Sequence, residues 1–330
     1  MAYPISGTPY AGAAANPAYS GTFIPEIWSG KIIEKFYDAT VIGAISNTNY
    51  EGEIKNQGDK VIIRTKPSIS IAAYEATQAL TVERPSSNIV ELLIDKGYYF
   101  NTVLDDVMEV QADLNQLSMW ADDASEQMKI QIDTEVLAYV PADIITLDTN
   151  DYNNGATAGR VSQSVNLGVA TAGSAVPLDV VARNPTAGQV EVIDAILRAG
   201  QVLDEQNIPE TGRWMVIPAW MAAMIKRSEL RDASLTGDGT TMLRNGRIGT
   251  IDRFTLYSSN LLPTTGSLAG GDATYVLAGH QHGLTFASQL SKVETLRSES
   301  TFGTLLRGLQ VYGRKVIDYT ALALLAVRAA

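Results

Sequence analysis

Apolar residues recur every three or four positions through one stretch of this chain: Val107, Val110, Leu114, Leu117, Ala121, Ala124, Met128, Ile132 and Val136. At 3.6 residues per turn these positions share one face, which predicts a single long helix over residues 105–139, ended by Pro141. A rod of that length measures about 50 Å at 1.5 Å per residue. Few compact enzymes need one. Its outer face reads as acidic, with Asp105, Asp106, Glu109, Asp113, Asp122, Asp123, Glu126, Asp133 and Glu135 against Lys129 alone.

Upstream the pattern changes. Residues 1–24 are rich in Gly, Ala, Pro, Ser and Tyr, with no charge before Glu26. Such a segment has little to bury by itself and is expected to be a mobile arm or to lie on a partner. Pro25 suits a first helical turn, and Ile27, Trp28, Ile32, Ile33 and Phe36 follow near helical spacing. That helix is expected to end before the β-branched and Asn-rich stretch after Ala44. A turn at Gly58-Asp59 precedes an apolar run at 60–65, and a second run covers 89–95; both read as strands. The stretch between them, 66–88, carries Thr, Ser, Pro67 and Pro85 and reads as apolar-poor. Together they predict an extended β-hairpin. Two strands alone are marginal in water, so this hairpin needs something to pack on.

Residues 146–185 are rich in Thr, Asn, Gly, Ala and Ser and read as loop, with one weak hairpin around 161–169. Thr186-Ala187-Gly188-Gln189 has the form of a capping box ahead of a helix through Val190, Ile193, Ile196, Leu197 and Leu203. Trp214-Met215-Val216-Ile217 reads as a buried strand, and Pro218 as the start of a helix through Met224 and Ile225. A Gly-studded loop spans 236–249. Strands are expected at 254–258, 274–278, 284–286, 293–297, 305–311 and 316–325. No internal repeat is present.

Composition narrows the function classes. The 330 residues include no cysteine and two histidines, and the formal net charge is -11. Disulfides, thiolate metal sites and catalytic thiols are excluded. The acidic balance argues against a protein that grips phosphate backbones, which needs clustered Lys and Arg. At 45% hydrophobic and 18% charged, the chain can bury a core. Met1-Ala2-Tyr3-Pro4 lacks the basic and apolar regions of a signal peptide. The apolar run at 321–327 is far short of a membrane span, so a soluble chain without a membrane partner is expected.

Candidate chemistry is thin. His280 and His282 could share one face of a strand, but no third ligand has metal-site spacing. The run from Asp148 to Gly155 has calcium-loop character, yet the twelfth position, Gly159, offers no carboxylate. Gly237-Asp238-Gly239 and Gly246-Arg247-Ile248-Gly249 lack the Gly-Lys-Ser/Thr ending of a phosphate loop. No nucleophile elbow is present. No catalytic residue, cofactor or metal site is therefore assigned. The acidic helix face reads either as solvated surface or as an interface with a basic segment. Residues 225–315 hold eleven Lys and Arg against seven acids.

The order of elements is more specific than any motif. Arm, helix, long hairpin, long helix and mixed α/β region resemble the major capsid proteins of tailed phages, an α+β fold of the Hong-Kong-97 type. Phe23-Ile24-Pro25-Glu26-Ile27-Trp28-Ser29 is similar to the opening of that family's first helix. Tyr50-Glu51-Gly52-Glu53-Ile54 and Gly58-Asp59-Lys60-Val61 are similar to the start of its extended loop. Ile94-Asp95-Lys96-Gly97-Tyr98-Tyr99-Phe100 into Val103-Leu104-Asp105-Asp106-Val107 resembles its return strand and the start of its spine helix. Ala199-Gly200-Gln201-Val202-Leu203-Asp204-Glu205-Gln206-Asn207-Ile208-Pro209 with Gly212-Arg213-Trp214 looks like its axial domain. Asn245-Gly246-Arg247-Ile248-Gly249 and the stretch from Phe302-Gly303 to Gly308-Leu309-Gln310-Val311-Tyr312-Gly313 continue the likeness, which covers most of 23–320.

The resemblance implies the following organisation: 1–49 arm and first helix, 50–100 extended loop, 101–150 peripheral domain with spine helix, 151–185 loop or short insertion, 186–286 axial domain, 287–330 returning strands. It implies a non-enzymatic protein, assembled in the host cytoplasm into pentamers and hexamers of an icosahedral head around double-stranded DNA, without sequence-specific binding. Scaffolding, portal and decoration proteins are its implied partners. Candidate subunit-interface residues are Trp28, Asp59, Asp122, Glu126, Arg244 and Arg247. Some members cross-link through a Lys–Asn isopeptide bond; no residue here is matched to that site. The alternatives are another virion or tube-forming protein, or a soluble hydrolase working through Asp/Glu pairs.

Overall fold

The computed structural model describes residues 40–49, 60–64, 67, 69–74, 82–85, 89–106, 116–147, 165, 167–168, 175–180, 188–228, 249–265, 273–298 and 301–330. The expected arm, the helix after Pro25, the calcium-like run and the 236–248 loop lie outside the described residues.

The apolar run near the C-terminal end explains the centre of the fold. It forms β13 (Leu322–Ala329), which pairs antiparallel with β10 (Ala273–His280) and parallel with β4 (Val176–Asp179). β10 also pairs with β6 (Arg213–Ile217), which runs parallel to β8 (Phe254–Ser258). β5 (Val190–Glu191) and β7 (Thr250–Ile251) close the two edges, and β9 (Thr264–Thr265) pairs with part of β10, giving an eight-stranded sheet.

Helices cover both faces of this sheet, so its central strands are apolar throughout rather than alternating. On one face, Met215, Ile217, Val276, Ala278, Ala323, Leu325 and Val327 pack against α3 (Val192–Glu205) and α4 (Ala219–Arg227). On the other, Trp214, Val216, Leu277, Leu322 and Leu324 meet α2 (Gln116–Leu147) and the short α1 (Ile42–Ile45). The period of two along each strand thus sends neighbours into two separate cores. Each large aliphatic side chain so buried contributes about 1.5–3 kcal/mol.

The helical stripe holds where it is described: Ile132 and Val136 are buried, joined by Leu137, Val140 and Ile144. The boundaries need correction. The described part of α2 runs from Gln116 through Pro141 to Leu147, past the end expected at 139, and Asp105, expected to open the helix, belongs to a strand; residues 107–115 lie outside the described residues. A proline inside a helix costs about 3 kcal/mol. Here Val140 and Ile144, on either side of it, are anchored in the core, and the helix continues. Residues 96–105 form a strand, longer than the return strand that the resemblance placed at 94–100. β3 (Lys96–Asp105) pairs antiparallel with β12 (Gly303–Val316), from Lys96↔Tyr312 to Gly303↔Asp105. β12 also pairs with β11 (Leu284–Arg297), which contains a bulge at Ser288/Leu290. The two short strands expected at 284–286 and 293–297 are therefore one long strand.

The hairpin is present. β1 (Lys60–Arg64) and β2 (Ile89–Leu93) pair antiparallel with Lys60 opposite Leu93 and Arg64 opposite Ile89. Ile63, Leu92 and Ala287 form a small core at its base, with Ile94 and Ile317 packed on it. Two further expectations change. α3 is capped at Glu191 without a side-chain cap bond, so the capping box at 186–189 does not start it. Within 146–185, where only loop and a weak hairpin were expected, β4 forms.

Candidate functional site

The hairpin carries its base in the core, and the described apolar residues beyond its strands stand in solvent. Ile69 is 67% exposed, Ile71 98%, Tyr74 73% and Val82 89%. The two limbs of this tip are clipped together: Ser70 donates to the Glu83 carboxylate from its backbone N–H at 3.1 Å and from its hydroxyl at 2.7 Å. These bonds hold the Glu83 carboxyl below its ordinary range. Reading the tip as apolar-poor was wrong in the respect that matters. It presents four large apolar side chains with no core to enter, and such a set marks an interaction surface.

A second exposed face belongs to the three-stranded sheet. Alternate residues of β3 point outward, placing Tyr99, Asn101 and Val103 on one side, opposite Leu309, Arg307 and Leu305 of β12. β11 extends the rows with Lys292, Glu294 and Leu296. Glu294 sits between two cations, with Lys292 Nζ at 2.7 Å and Arg307 Nε at 2.6 Å. Those hydrogen bonds hold its carboxyl below the usual value. The result is an ionic ladder flanked by apolar side chains and a groove of about 550 Å³. Tyr99, 78% exposed, and Val103, 49%, dominate its edge. The resemblance read 94–100 as a return strand; its continuation to Asp105 and its exposed face were not read.

The acidic face of α2 is smaller than the sequence implied. Asp122 is exposed. Glu126 is paired with Lys129 at 2.5 Å. Asp133 is buried and accepts the backbone N–H of Val41 at 2.5 Å. Glu135 accepts the hydroxyl of Tyr312, and Asp105 lies in β3. Further along, Asp143 meets Arg314 at 3.1 Å, and that guanidinium lies 4.2 Å from the Tyr139 ring centroid. The helix is thus tied inward by several of its own acids. Trp28, Asp59, Arg244 and Arg247 lie outside the described residues, so only Asp122 and Glu126 of the six interface candidates are located.

At the end of α3 an ionic cluster fixes a tight turn. Asn207 adopts a left-handed φ of 59°, which an Asn tolerates after a helix end. The fully buried Arg213 side chain donates to the carbonyls of Ile208 at 2.6 Å and Pro209 at 2.9 Å and pairs with Asp204 at 2.7 Å. Arg253 bridges Asp204 and Glu210, each at 2.8 Å. Burial pushes Asp204 upward, but the hydrogen bonds and charge of the two arginines prevail and hold it below its ordinary value.

Among the described residues, no catalytic or metal-binding cluster forms. His280 Nδ1 accepts the N–H of His282 at 3.1 Å, a local turn bond. Burial, then the charge of His282, lowers the His280 value. Among the described residues no group of three His, Asp or Glu is placed to hold a metal ion. Among them, too, no helix is long and apolar enough to cross a membrane.

Solved structures similar to this one include phage capsids. Over 92% of this chain and 97% of the other, the structure described as Mycobacterium phage Che8 superposes with a TM-score of 0.70 and 25% identity. The capsid of cyanophage P-SCSP1u gives 0.67 at 16% identity, over 93% and 94% of the two chains. The mature capsid of bacteriophage PhiM1 gives 0.66 at 13% identity, over 98% and 100%. No curated protein sequence matches the chain. A family model described as "Phage capsid protein" matches residues 98–325. That span runs from the exposed face of β3 to the apolar heart of β13, and it places the chain in the phage capsid protein family, as a structural rather than catalytic component of the virion with the Hong-Kong-97-type fold.

Proposed function

We propose that this capsid protein assembles as pentamers and hexamers that close into an icosahedral head around double-stranded DNA. Residues 186–286 form the axial domain at the capsomer centre. Residues 101–150 and the strands of 287–330 form the peripheral domain, with 151–185 a short connection. Residues 50–100 form a loop that overlaps a neighbouring subunit, and 1–49 an arm and first helix, the arm laid against partners and residues 41–45 packed in the subunit's own core. Scaffolding and portal proteins take part in assembly, and a decoration protein can coat the finished shell.

One observation carries this reading: the hairpin buries its base through Ile63 and Leu92 while Ile69, Ile71, Tyr74 and Val82 stand in water. At about 25 cal/mol per Å² of apolar surface, an uncovered patch of this kind favours association. Every subunit presents the same patch, so one contact type repeats around the shell. The excess of negative charge suits a container that does not clamp its contents.

Sedimentation of the purified full chain, alone and co-expressed with its scaffold, tests the proposal. Megadalton particles or capsomer-sized rings are expected. A monomer or dimer under every such condition would contradict it.

A further inference from the structure

A strap of chain, residues 40–47, crosses between α2 and the sheets. Its buried side chains, Val41, Ile42 and Ile45, reach the core between α2 and the eight-stranded sheet. One end is bound to β11: the Asn47 N–H donates to the Leu284 carbonyl at 2.8 Å, and the Phe286 N–H donates to the Asn47 carbonyl at 3.1 Å. Its middle is held by the Gln281 side-chain amide, which donates to the Ala44 carbonyl at 3.1 Å. Its other end is held by one carboxylate. Asp133 of α2 accepts the Val41 N–H at 2.5 Å and the Ile42 N–H beside it.

That carboxylate is 4% exposed. A cavity of about 180 Å³ lies against it, lined by Thr40 and Ile42 of the strap, Lys129 of α2, Phe286 of β11 and Gln310 of β12. Lys129 is the one charged group among these neighbours, and its ammonium is engaged by Glu126 at 2.5 Å. Asp133 therefore keeps two amide hydrogen bonds, which favour the ionised form, but is largely shielded from water and gains no close counter-ion, which disfavours it more.

We infer that Asp133 is a pH-responsive latch for the strap, holding residues 40–47 more firmly when it is protonated than when it is ionised. Burial raises its carboxyl to about 6, against the opposing pull of the two amides. With the strap released, the carboxyl would meet water and return to the ordinary value of 3.8. Docking therefore takes up a proton between those values. It is favoured as pH falls through about 6 and weakened as pH rises through it. In sequence the strap directly follows residues 1–39, which include the segment read as a partner-contacting arm. The inference concerns the single subunit and stands whether or not shells form.

Hydrogen exchange of the full chain, read on the amides of residues 41–47 and corrected for the intrinsic exchange rate at each pH, tests it. Protection in the wild type should fall about tenfold between pH 5 and pH 7.5, the linkage value for these two proton affinities. The Asp133→Asn variant should show no such fall, while peptides from α3 should behave alike in both proteins. A wild-type strap whose corrected protection is flat across this range would overturn the latch, and that result needs no variant. So would an Asp133→Asn strap that loses protection as steeply as the wild type. If Asp133→Asn does not fold, Asp133→Ser serves as the non-titrating comparison.

Discussion

Tyr312 donates its hydroxyl hydrogen to the Glu135 carboxylate, and that bond ties the middle of β12 to the spine helix. The ring is fully buried and stacks on Phe286 at 5.5 Å and Tyr98 at 6.2 Å between centroids. Burial, and then the Glu135 hydrogen bond, push the phenol well above its ordinary range, so it stays a donor at every working pH. Tyr312→Phe keeps the stack and removes the bond to a half-buried charge. It should destabilise the subunit by about 1–2 kcal/mol. Tyr312→Ala removes both and should cost about 3–5 kcal/mol. Thermal melting of the two variants checks the order and the gap.

The hairpin base makes a second prediction. Gly313 of β12 lies against the hairpin return, where a Cβ would come 2.9 Å from the Leu93 carbonyl carbon and 3.1 Å from the Ile94 Cα. These are backbone atoms and cannot swing aside. Gly313→Val should displace the base of the hairpin, at a cost of about 1–3 kcal/mol of overpacking. Assembly yield measured by light scattering should fall further than melting temperature alone would explain, because the hairpin points elsewhere.

Legibility followed how local each signal was. The hairpin strands were readable almost to the residue, because their apolar runs are bounded by turn residues on both sides. β6 and β8 were readable for the same reason. The full length of β3 was not. Residues 96–105 have mixed spacing, and only pairing with β12, some 200 positions away, makes them a strand. β4 escaped notice because Pro177 interrupts it and its partner is Val327, far along the chain. At the candidate site, Asp122 was correctly read as outward. Asp133 and Glu135 sit on turns whose neighbours are core, and the composition of a face cannot reveal that.

Charge at the end of α3 sets an acid response. The folded Asp204 value lies below the unfolded one, so its contribution is present above the ordinary carboxylate value and is lost as pH falls through the folded value. Asp204→Asn should lower the melting temperature at pH 7, because the buried Arg213 keeps only its carbonyl partners. The difference from wild type should begin to narrow as pH drops below the ordinary carboxylate value of 3.8 and close only below the folded value. Since Asp204 is 42% exposed, the effect at neutral pH is modest. Melting curves taken from pH 7 down through the carboxylate range distinguish this from a packing defect, which would persist throughout.

The acidic patch on the spine helix gives a salt-dependent prediction. Asp122→Lys with Glu126→Lys reverses the exposed charge and also breaks the Glu126–Lys129 pair. If this patch meets a basic surface of a neighbour, each exposed pair contributes about 0.2–1 kcal/mol. The double variant should assemble more weakly than wild type at low salt and recover at high salt, since the Debye length is about 10 Å at 0.1 M. Equal assembly curves at both salt concentrations would leave the patch as solvated surface.

The central claim is that the exposed hairpin tip is an assembly surface and not part of the subunit's own fold. Ile71→Ser with Val82→Ser places polar groups at positions 98% and 89% exposed, where the subunit's stability should change by no more than about 0.5 kcal/mol. The decisive measurement is electron-microscopic reconstruction of particles formed by the wild type, with this double variant imaged alongside. Closed shells with fivefold and sixfold clusters, each hairpin tip resting on a neighbouring subunit, are expected for the wild type. Folded but unassembled subunits are expected for the variant. Wild-type shells in which residues 66–88 touch no neighbour, or a variant that closes shells as readily as wild type, would contradict the claim.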